Sequence, residues 1–161
     1  MMQAPAERNP RNHHATVVLL GDRGIMVRGP SGSGKTALAL ALLDRCKALN
    51  RFGRLVSDDQ VLLHGSGGRI VAEAPPAIVG LVELRGFGPA RTPFESRAVI
   101  DLVVDLVEPA LAPRFQPEET ISLLGVAVPR LTIDATTGPL ALHVIVARLR
   151  EKTYLERDFE R

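Results

Sequence analysis

A glycine-rich segment at residues 29–36, GPSGSGKT, fits the pattern G-x-x-x-x-G-K-[S/T]. In this pattern backbone N–H groups turn inward around a phosphate, and the N-terminus of the next helix adds partial positive charge. The lysine reaches the β- and γ-phosphates, and the threonine hydroxyl can ligate Mg²⁺. A turn that only joins a strand to a helix would explain the glycines but not the adjacent Lys and Thr. The residues predicted to form the phosphate cradle are Gly29, Pro30, Ser31, Gly32, Ser33, Gly34, Lys35 and Thr36.

Two adjacent carboxylates, Asp58 and Asp59, follow the apolar run RLV at residues 54–56. Neighbouring residues of a strand point to opposite faces, so the two side chains can have different roles. One can hold a metal ion or its water shell, and the other can take a proton from an acceptor hydroxyl during phosphoryl transfer. The spacing leaves open which does which, and a solvated acidic turn is the alternative.

Further candidates lie in the segment ELRGFG at residues 83–88. Glu83 and Arg85 are two residues apart and would face one side of an extended segment, with the acid on a metal and the guanidinium on a phosphate. A surface ion pair is an equally simple interpretation. His14, like His13, His64 and His143, would by itself be an ordinary surface histidine.

The sequence pattern around these residues predicts a strand-rich α/β domain. Apolar runs at 16–20 and 25–28 flank the turn-type cluster GDRG and predict a hairpin leading into the cradle. An Ala- and Leu-rich stretch from 35 to about 49 predicts a helix. Two later β-type runs lie at 98–108 and 128–133, and 140–152 is a closing strand or helix, with a helix favoured in its later half. We expect one P-loop domain with a mixed sheet around a single P-loop helix.

Composition narrows the classes of partner. The 161 residues carry a net charge of +2 without a basic run, and they include no Trp and one Tyr, which argues against nucleic-acid binding. No apolar run reaches the roughly 20 residues that span a bilayer. Cys46 is the single cysteine and the first ten residues lack the apolar stretch of a secretory signal, so we expect a cytoplasmic protein.

The order of the motifs resembles the C-terminal catalytic domain of the HPr kinase/phosphorylases. The matching stretches are His14-Ala15, GPSGSGKT, SDD at 57–59, ELRGFG at 83–88, PRF at 113–115 and GVAVPRLTI at 125–133. They occur in the same order over roughly residues 14–150. The resemblance implies an HPr kinase/PEP carboxykinase-like fold, with a flexible arm at 1–13, a catalytic domain at 14–152 and a tail at 153–161.

The same resemblance implies a function. The implied protein is a kinase that phosphorylates a serine of HPr, the phosphocarrier of the bacterial phosphotransferase system. It uses Mg²⁺ and ATP or sometimes pyrophosphate. Thr36 and Glu83 would hold the metal, and either Asp58 or Asp59 would be the base, with Asp59 favoured. The family also forms hexamers, although a smaller assembly stays open. The implied catalytic residues are His14, Lys35, Asp58, Asp59, Arg85 and Arg114.

The chain departs from the family pattern in ways that affect the reverse reaction. From its length we expect a short form without the extra N-terminal domain of the family. Where the family has PVRPGR, this chain has DATTGP at 134–139, without either arginine. Since Arg contacts to phosphate are strong, we expect weak attack of inorganic phosphate on phosphoserine. Two other functions remain open: a P-loop kinase of a small molecule, and a regulator that binds ATP without transferring phosphate.

Overall fold

The computed structural model describes residues 11–158, which form eleven β-strands and two α-helices. Short 3-10 turns occur at Pro76–Ile78 and Pro109–Leu111. The helices are α1 (Lys35–Ala48) and α2 (Pro139–Asp158). The strands are β1 (Arg11–His13), β2 (Ala15–Leu20), β3 (Arg23–Arg28), β4 (Gly53–Ser57), β5 (Val61–Ser66), β6 (Arg69–Glu73), β7 (Leu81–Leu84), β8 (Gly88–Arg91), β9 (Arg97–Val107), β10 (Glu119–Leu123) and β11 (Val126–Asp134).

Strand β9 connects the two parts of a nine-stranded mixed sheet. Its first residues pair antiparallel with β6, next to which lie β5 and β1. Its later residues pair in parallel with β3 on one side and β11 on the other. Strands β7 and β8 form a separate hairpin. The mixed, strand-rich sheet predicted from the sequence is confirmed.

Strand direction determines which loops meet. Strand β2 is antiparallel to both β3 and β4, so β4, β3, β9 and β11 all run the same way. Their carboxyl ends therefore share one edge of the sheet, and β2 begins at that edge. The loop after β3, the residues after β4 and the residue before β2 are brought together there.

Two apolar clusters cover the two faces of the sheet. Alternate residues of one strand enter different clusters: Val27 and Val104 pack on the side of the helices, and Met26 and Val103 pack on the opposite side. Both faces are buried, which explains the nearly continuous apolar runs of β3 and β9. Helix α1 contributes Leu38, Ala39 and Leu42 to the first cluster, and α2 contributes Ala141 and Ile145.

The predicted hairpin is confirmed, and the helix predicted from residue 35 is α1, which ends at Ala48. The predicted domain boundaries stay predictions, and two elements of the structure extend past them. Residues 11–13, assigned to the arm, form β1 on the sheet edge, where backbone pairing with β5 needs no apolar pattern. Helix α2 covers all of 140–152 and continues to Asp158, because Pro139 favours a helix start and Ile145 is fully buried. Residues 1–10 and 159–161 lie outside the described part of the chain.

Neither helix of the described residues has the length and hydropathy needed to cross a membrane.

Candidate phosphoryl-transfer site

The shared edge of the sheet opens into a cavity of about 860 Å³. Its walls come from the glycine-rich loop and the first turn of α1, from the two aspartates after β4, and from the β7–β8 hairpin. The lining residues are Ser31, Gly32, Gly34, Lys35, Thr36, Ala37, Leu40, Asp58, Asp59, Glu83, Leu84, Arg85, Gly86, Phe87 and Gly88.

The loop has the backbone shape that its glycines permit. Gly32 and Gly34 adopt φ angles of 81° and 94°, in the left-handed region where side chains are unfavourable. Gly29 is needed for space, since a Cβ there would lie 2.5 Å from Ser33 Oγ. Pro30 donates no backbone hydrogen bond, but its carbonyl accepts one from the Ser33 N–H.

Lys35 is held under this loop with only 5% of its surface exposed. Its Nζ donates to the carbonyls of Gly29 at 2.9 Å and Pro30 at 3.2 Å. The same nitrogen lies 3.9 Å from Asp59 Oδ1. The ammonium group is therefore fixed between the cradle and the acidic pair.

Asp58 is the buried member of the pair, with 6% exposure. Its Oδ1 accepts hydrogen bonds from Thr36 Oγ1 at 2.7 Å and Thr16 Oγ1 at 3.0 Å, and its Oδ2 accepts one from the Glu83 N–H at 3.0 Å. This carboxylate joins α1, β2 and β7. It orients the hydroxyl that the motif assigns to metal binding.

Asp59 is the accessible member, with 58% of its side chain exposed. Its backbone has a φ of 64°, which turns the side chain away from the course of β4. His14 Nε2 lies 2.5 Å from Asp59 Oδ1. Both carboxylates line the cavity, but Asp58 is buried and accepts three protein hydrogen bonds, whereas Asp59 is accessible and lies beside a histidine.

Thr16 holds both aspartates and was not singled out from the sequence. Its hydroxyl is completely buried, donates to Asp58 Oδ1 and accepts a hydrogen bond from the Asp59 N–H at 3.1 Å. A threonine in an otherwise apolar strand must find a partner when it is buried, and this was the available signal.

A second group missed from the sequence anchors the start of the loop. Arg28, the last residue of β3, makes a bidentate ion pair with Asp105 of β9, with distances of 2.7 and 2.8 Å. Arg130 Nε of β11 lies 2.9 Å from the same carboxylate. Three neighbouring strands are thus joined directly below Gly29.

The β7–β8 hairpin brings Glu83 and Arg85 to the cavity, but not in the predicted extended geometry. Glu83 lies in β7, whereas Arg85 lies in the tight turn that follows, where Gly86 has a φ of 86° and the Phe87 N–H donates to the Leu84 carbonyl. Both residues line the cavity, and the roles expected for their side chains stay predictions.

Arg114 is the predicted catalytic residue that the described contacts do not bring to the cavity. Its guanidinium lies 5.5 Å from the centroid of the Phe115 ring, and it is not among the residues that line the cavity. The neighbouring Gln116 attaches this loop to β11, where its side-chain amide donates to the Thr132 carbonyl at 2.6 Å and accepts from the Thr132 N–H at 3.1 Å.

The donor set fits Mg²⁺ bound together with a nucleotide. Within residues 11–158, no three His, Cys, Asp or Glu side chains form a metal site of their own. Magnesium carried on phosphates needs only one or two carboxylates besides phosphate and water oxygens. Thr36, Asp58 and Glu83 are the residues that would hold it.

The glycine loop lies between a buried strand and a helix, and a buried lysine and a buried aspartate lie behind it. These features place the chain among P-loop proteins. Residues 7–158 match the family model described as HPr Serine kinase C-terminal domain, and the chain belongs to that family.

Named relatives agree with this assignment. The chain is 32% identical over 160 residues to a HPr kinase/phosphorylase of Caldicellulosiruptor bescii, an alignment that covers 91% of this chain and 50% of the relative. It is 33% identical over 149 residues to that of Exiguobacterium sibiricum, with 84% and 46% covered. The chain thus spans about half the length of these curated relatives. A solved structure of the Hpr(Ser) kinase/phosphatase from Coxiella burnetii has the same fold, with a TM-score of 0.76, 23% identity and coverage of 89% of this chain and 99% of that one.

Proposed function

We propose that this domain transfers the γ-phosphoryl group of ATP to a serine hydroxyl of an HPr-type phosphocarrier protein. One observation carries the proposal: an accessible carboxylate, Asp59, contacts His14 and lies 3.9 Å from the buried Lys35 ammonium. A proton acceptor therefore stands at the boundary between the phosphate cradle and open space. An HPr serine is proposed as the acceptor because the chain belongs to the HPr serine kinase family.

In the forward reaction the loop amides and Lys35 bind the β- and γ-phosphates of ATP. As the serine oxygen bonds to the γ-phosphorus, Asp59 takes the serine proton and the bond from phosphorus to the β–γ bridging oxygen breaks, which leaves ADP. His14, hydrogen-bonded to Asp59, orients that carboxylate, and Arg85 faces the negative charge of the transferring group. Mg²⁺, when bound, supplies neutralisation of charge on the phosphate oxygens.

Asp58 has a different role in this proposal. All of its described hydrogen bonds go to protein groups, so it positions Thr36 and the β7 backbone and does not receive the serine proton. The described contacts do not support the role predicted for Arg114, because this residue does not line the cavity and its guanidinium lies near the ring of the adjacent Phe115.

The reverse reaction, in which inorganic phosphate attacks phosphoserine and forms pyrophosphate, is proposed to be weak. The segment at 134–139 carries no arginine, and Asp134 Oδ1 is engaged by the N–H and hydroxyl of Thr136. An anionic nucleophile gains little attraction there. Rapid phosphate-dependent release of HPr from phospho-HPr would contradict this point.

We also propose that the protein acts in the cytoplasm as a homo-oligomer, which the family resemblance suggests is a hexamer. Light scattering coupled to gel filtration measures that mass directly. A monomer at micromolar concentration would overturn the oligomer.

The activity is tested by incubating the protein with Mg²⁺ and γ-labelled ATP, together with either HPr or HPr whose acceptor serine is replaced by alanine. Label should enter only the serine form. Asp59→Asn should lower transfer by about 10²- to 10⁴-fold, while Asp44→Asn, at an exposed position of α1 away from the cavity, should not lower it. Label in a small-metabolite pool instead of HPr would favour a small-molecule kinase. ATP binding without any transfer would favour a regulator.

A further inference from the structure

The turn that carries the proposed base has an unusual backbone. The Gln60 N–H donates to the carbonyl of Asp58, two residues back, at 2.7 Å, and Asp59 between them has a φ of 64°. A hydrogen bond of this span across a residue with positive φ defines a γ-turn of the rare, strained type. Strained backbone persists only where the surrounding structure holds it in place, and it is concentrated at functional sites.

Strand β4 leads into this turn through an irregular register. Val17 of β2 pairs with Ser57, and Val18 pairs with Leu55. Val56 is therefore an extra residue on β4. Such a bulge bends a strand and redirects the side chains beside it. The pairing of β2 with β4 ends at Ser57, so the turn that follows needs other partners.

Thr16, the second residue of β2, supplies one of these partners. Its hydroxyl accepts the Asp59 N–H at 3.1 Å and donates to Asp58 Oδ1 at 3.0 Å. A hydroxyl has a single proton and a backbone amide can only donate, so the direction of both hydrogen bonds is fixed. Thr16 is completely buried, so water does not replace either partner. The middle residue of the turn is therefore held by its own amide.

Ser57, directly before the turn, supplies the other partner. It is completely buried, and its hydroxyl donates to the Gln60 carbonyl. This hydrogen bond joins the residue before the turn to the last residue of the turn. Neither Thr16 nor Ser57 is among the residues that line the cavity. The two hydroxyls therefore act on the site through the turn and not by contact with a ligand.

We infer that Thr16 and Ser57 are positioning residues for phosphoryl transfer. Their hydroxyls hold the strained turn that places the Asp59 carboxylate beside His14 and Lys35. The inference rests on the proposed function, in which Asp59 is the base. When a hydroxyl is removed, the turn relaxes toward an ordinary negative φ and the carboxylate shifts. Misplacement of a catalytic group by about 1 Å can cost about 100-fold in rate.

The test measures kcat and KM for ATP in transfer to HPr, with Mg²⁺ and the whole chain. Thr16→Val keeps the branched shape and removes the hydroxyl, whereas Thr16→Ser keeps the hydroxyl. We expect Thr16→Val to lower kcat about 10- to 100-fold with KM within about threefold, and Thr16→Ser to keep kcat within about threefold. Thr132→Val, at another buried threonine of the same sheet outside the cavity, is the matched control and should change neither constant.

Ser57→Ala separates the turn from the metal-binding side of the site. The described hydrogen bond of the Ser57 hydroxyl does not involve the Asp58 carboxylate, so Thr36 keeps its orientation in this variant. We expect kcat to fall about 3- to 10-fold while KM for ATP stays unchanged. Thr16→Ser as slow as Thr16→Val, or a rise in KM without a fall in kcat, would overturn the inference.

Hydrogen exchange tests the hold on the turn without catalysis. In the unmodified protein the Asp59 amide should exchange about 100-fold or more slowly than in an unfolded chain, although 58% of its side chain is exposed. Thr16→Val should speed this exchange about tenfold, and Thr16→Ser should not. Exchange of the Asp59 amide at the unfolded rate in the unmodified protein would overturn the inference, even if Thr16→Val fails to fold. This measurement needs neither ATP nor HPr, so an absence of transfer to HPr would refute the proposed function separately.

Discussion

Thr36 Oγ1 lies 2.7 Å from Asp58 Oδ1, a hydrogen bond that joins the first turn of α1 to the end of β4. The two residues are 22 positions apart, and β2 lies between β4 and the strand that precedes the loop. The bond fixes the threonine hydroxyl before any ligand arrives. It also leaves Asp59 as the accessible member of the acidic pair.

Replacing Asp58 should cost stability. Asp58→Ala removes an acceptor from Thr16, Thr36 and the Glu83 N–H, and the completely buried Thr16 hydroxyl loses the carboxylate to which it donates. We expect a loss of about 1–3 kcal/mol in the free energy of unfolding, measured by urea denaturation. Asp59→Ala, at the accessible position, is the control and should lose less. Equal losses of unfolding free energy in the two variants would show that Asp58 has no larger structural role than Asp59.

Replacing Asp59 should affect chemistry and leave binding intact. Asn tolerates the left-handed backbone at this position, so Asp59→Asn should keep its fold and its ATP affinity while phosphoryl transfer falls by about 10²- to 10⁴-fold. Transfer rates to HPr and ATP titrations measure the two effects. If Asp58→Asn instead lost transfer while Asp59→Asn kept it, the assignment of the base would be reversed.

Gly29→Ala should distort the cradle. The added Cβ would lie 2.5 Å from Ser33 Oγ and 3.1 Å from the Leu106 carbonyl. We expect weaker binding of tripolyphosphate and a lower melting temperature. The double variant Gly29→Ala/Ser33→Ala removes the closer contact and should recover part of both losses. No recovery would place the strain at the Leu106 carbonyl.

Cys46 should make stability depend on alkaline pH. Burial raises the pKa of its thiol, against the opposite effect of the Arg51 and Arg45 charges. The folded chain favours the neutral thiol, so this contribution is complete below the ordinary thiol pKa and is lost as the pH rises toward the raised value. Urea denaturation between neutral and alkaline pH should show a shallower decline in Cys46→Ala. Parallel declines in the two proteins would contradict the expectation.

Gln116 should protect the free part of the β11 edge. Its side chain pairs with both the N–H and the carbonyl of Thr132, which β10 does not reach. Gln116→Ala should lower the free energy of unfolding by about 1–2 kcal/mol and speed hydrogen exchange at Thr132. Gln116→Glu keeps the acceptor for the Thr132 N–H and should retain much of the protection. Unchanged exchange in both variants would contradict this role.

The parts of the site that the sequence predicted well are local. Residues 29–36 form the expected loop, and α1 begins at Lys35, because consecutive residues determine the turn and the helix start. The hairpin before it follows from a short turn between two apolar runs. None of these features depends on a distant part of the chain.

The different roles of Asp58 and Asp59 could not be predicted from local sequence patterns. It depends on Thr16, 42 residues away from Asp58, and on the positive φ that turns Asp59 toward the cavity. The contacts of Arg114 likewise depend on a loop held by Gln116 against β11, which no pattern in PRF indicates. The start of α2 was ambiguous because Val144, Ile145 and Val146 are typical of strands, and the packing of Val144 and Ile145 into the first apolar cluster depends on distant parts of the chain.

Strand β9 also affects how the protein unfolds. Its eleven residues take part in both halves of the sheet, and alternate residues enter the two apolar clusters. Neither half of the sheet can unfold alone, because the backbone of β9 pairs with strands of both halves. Melting should therefore be a single all-or-none event, with matching calorimetric and van't Hoff enthalpies.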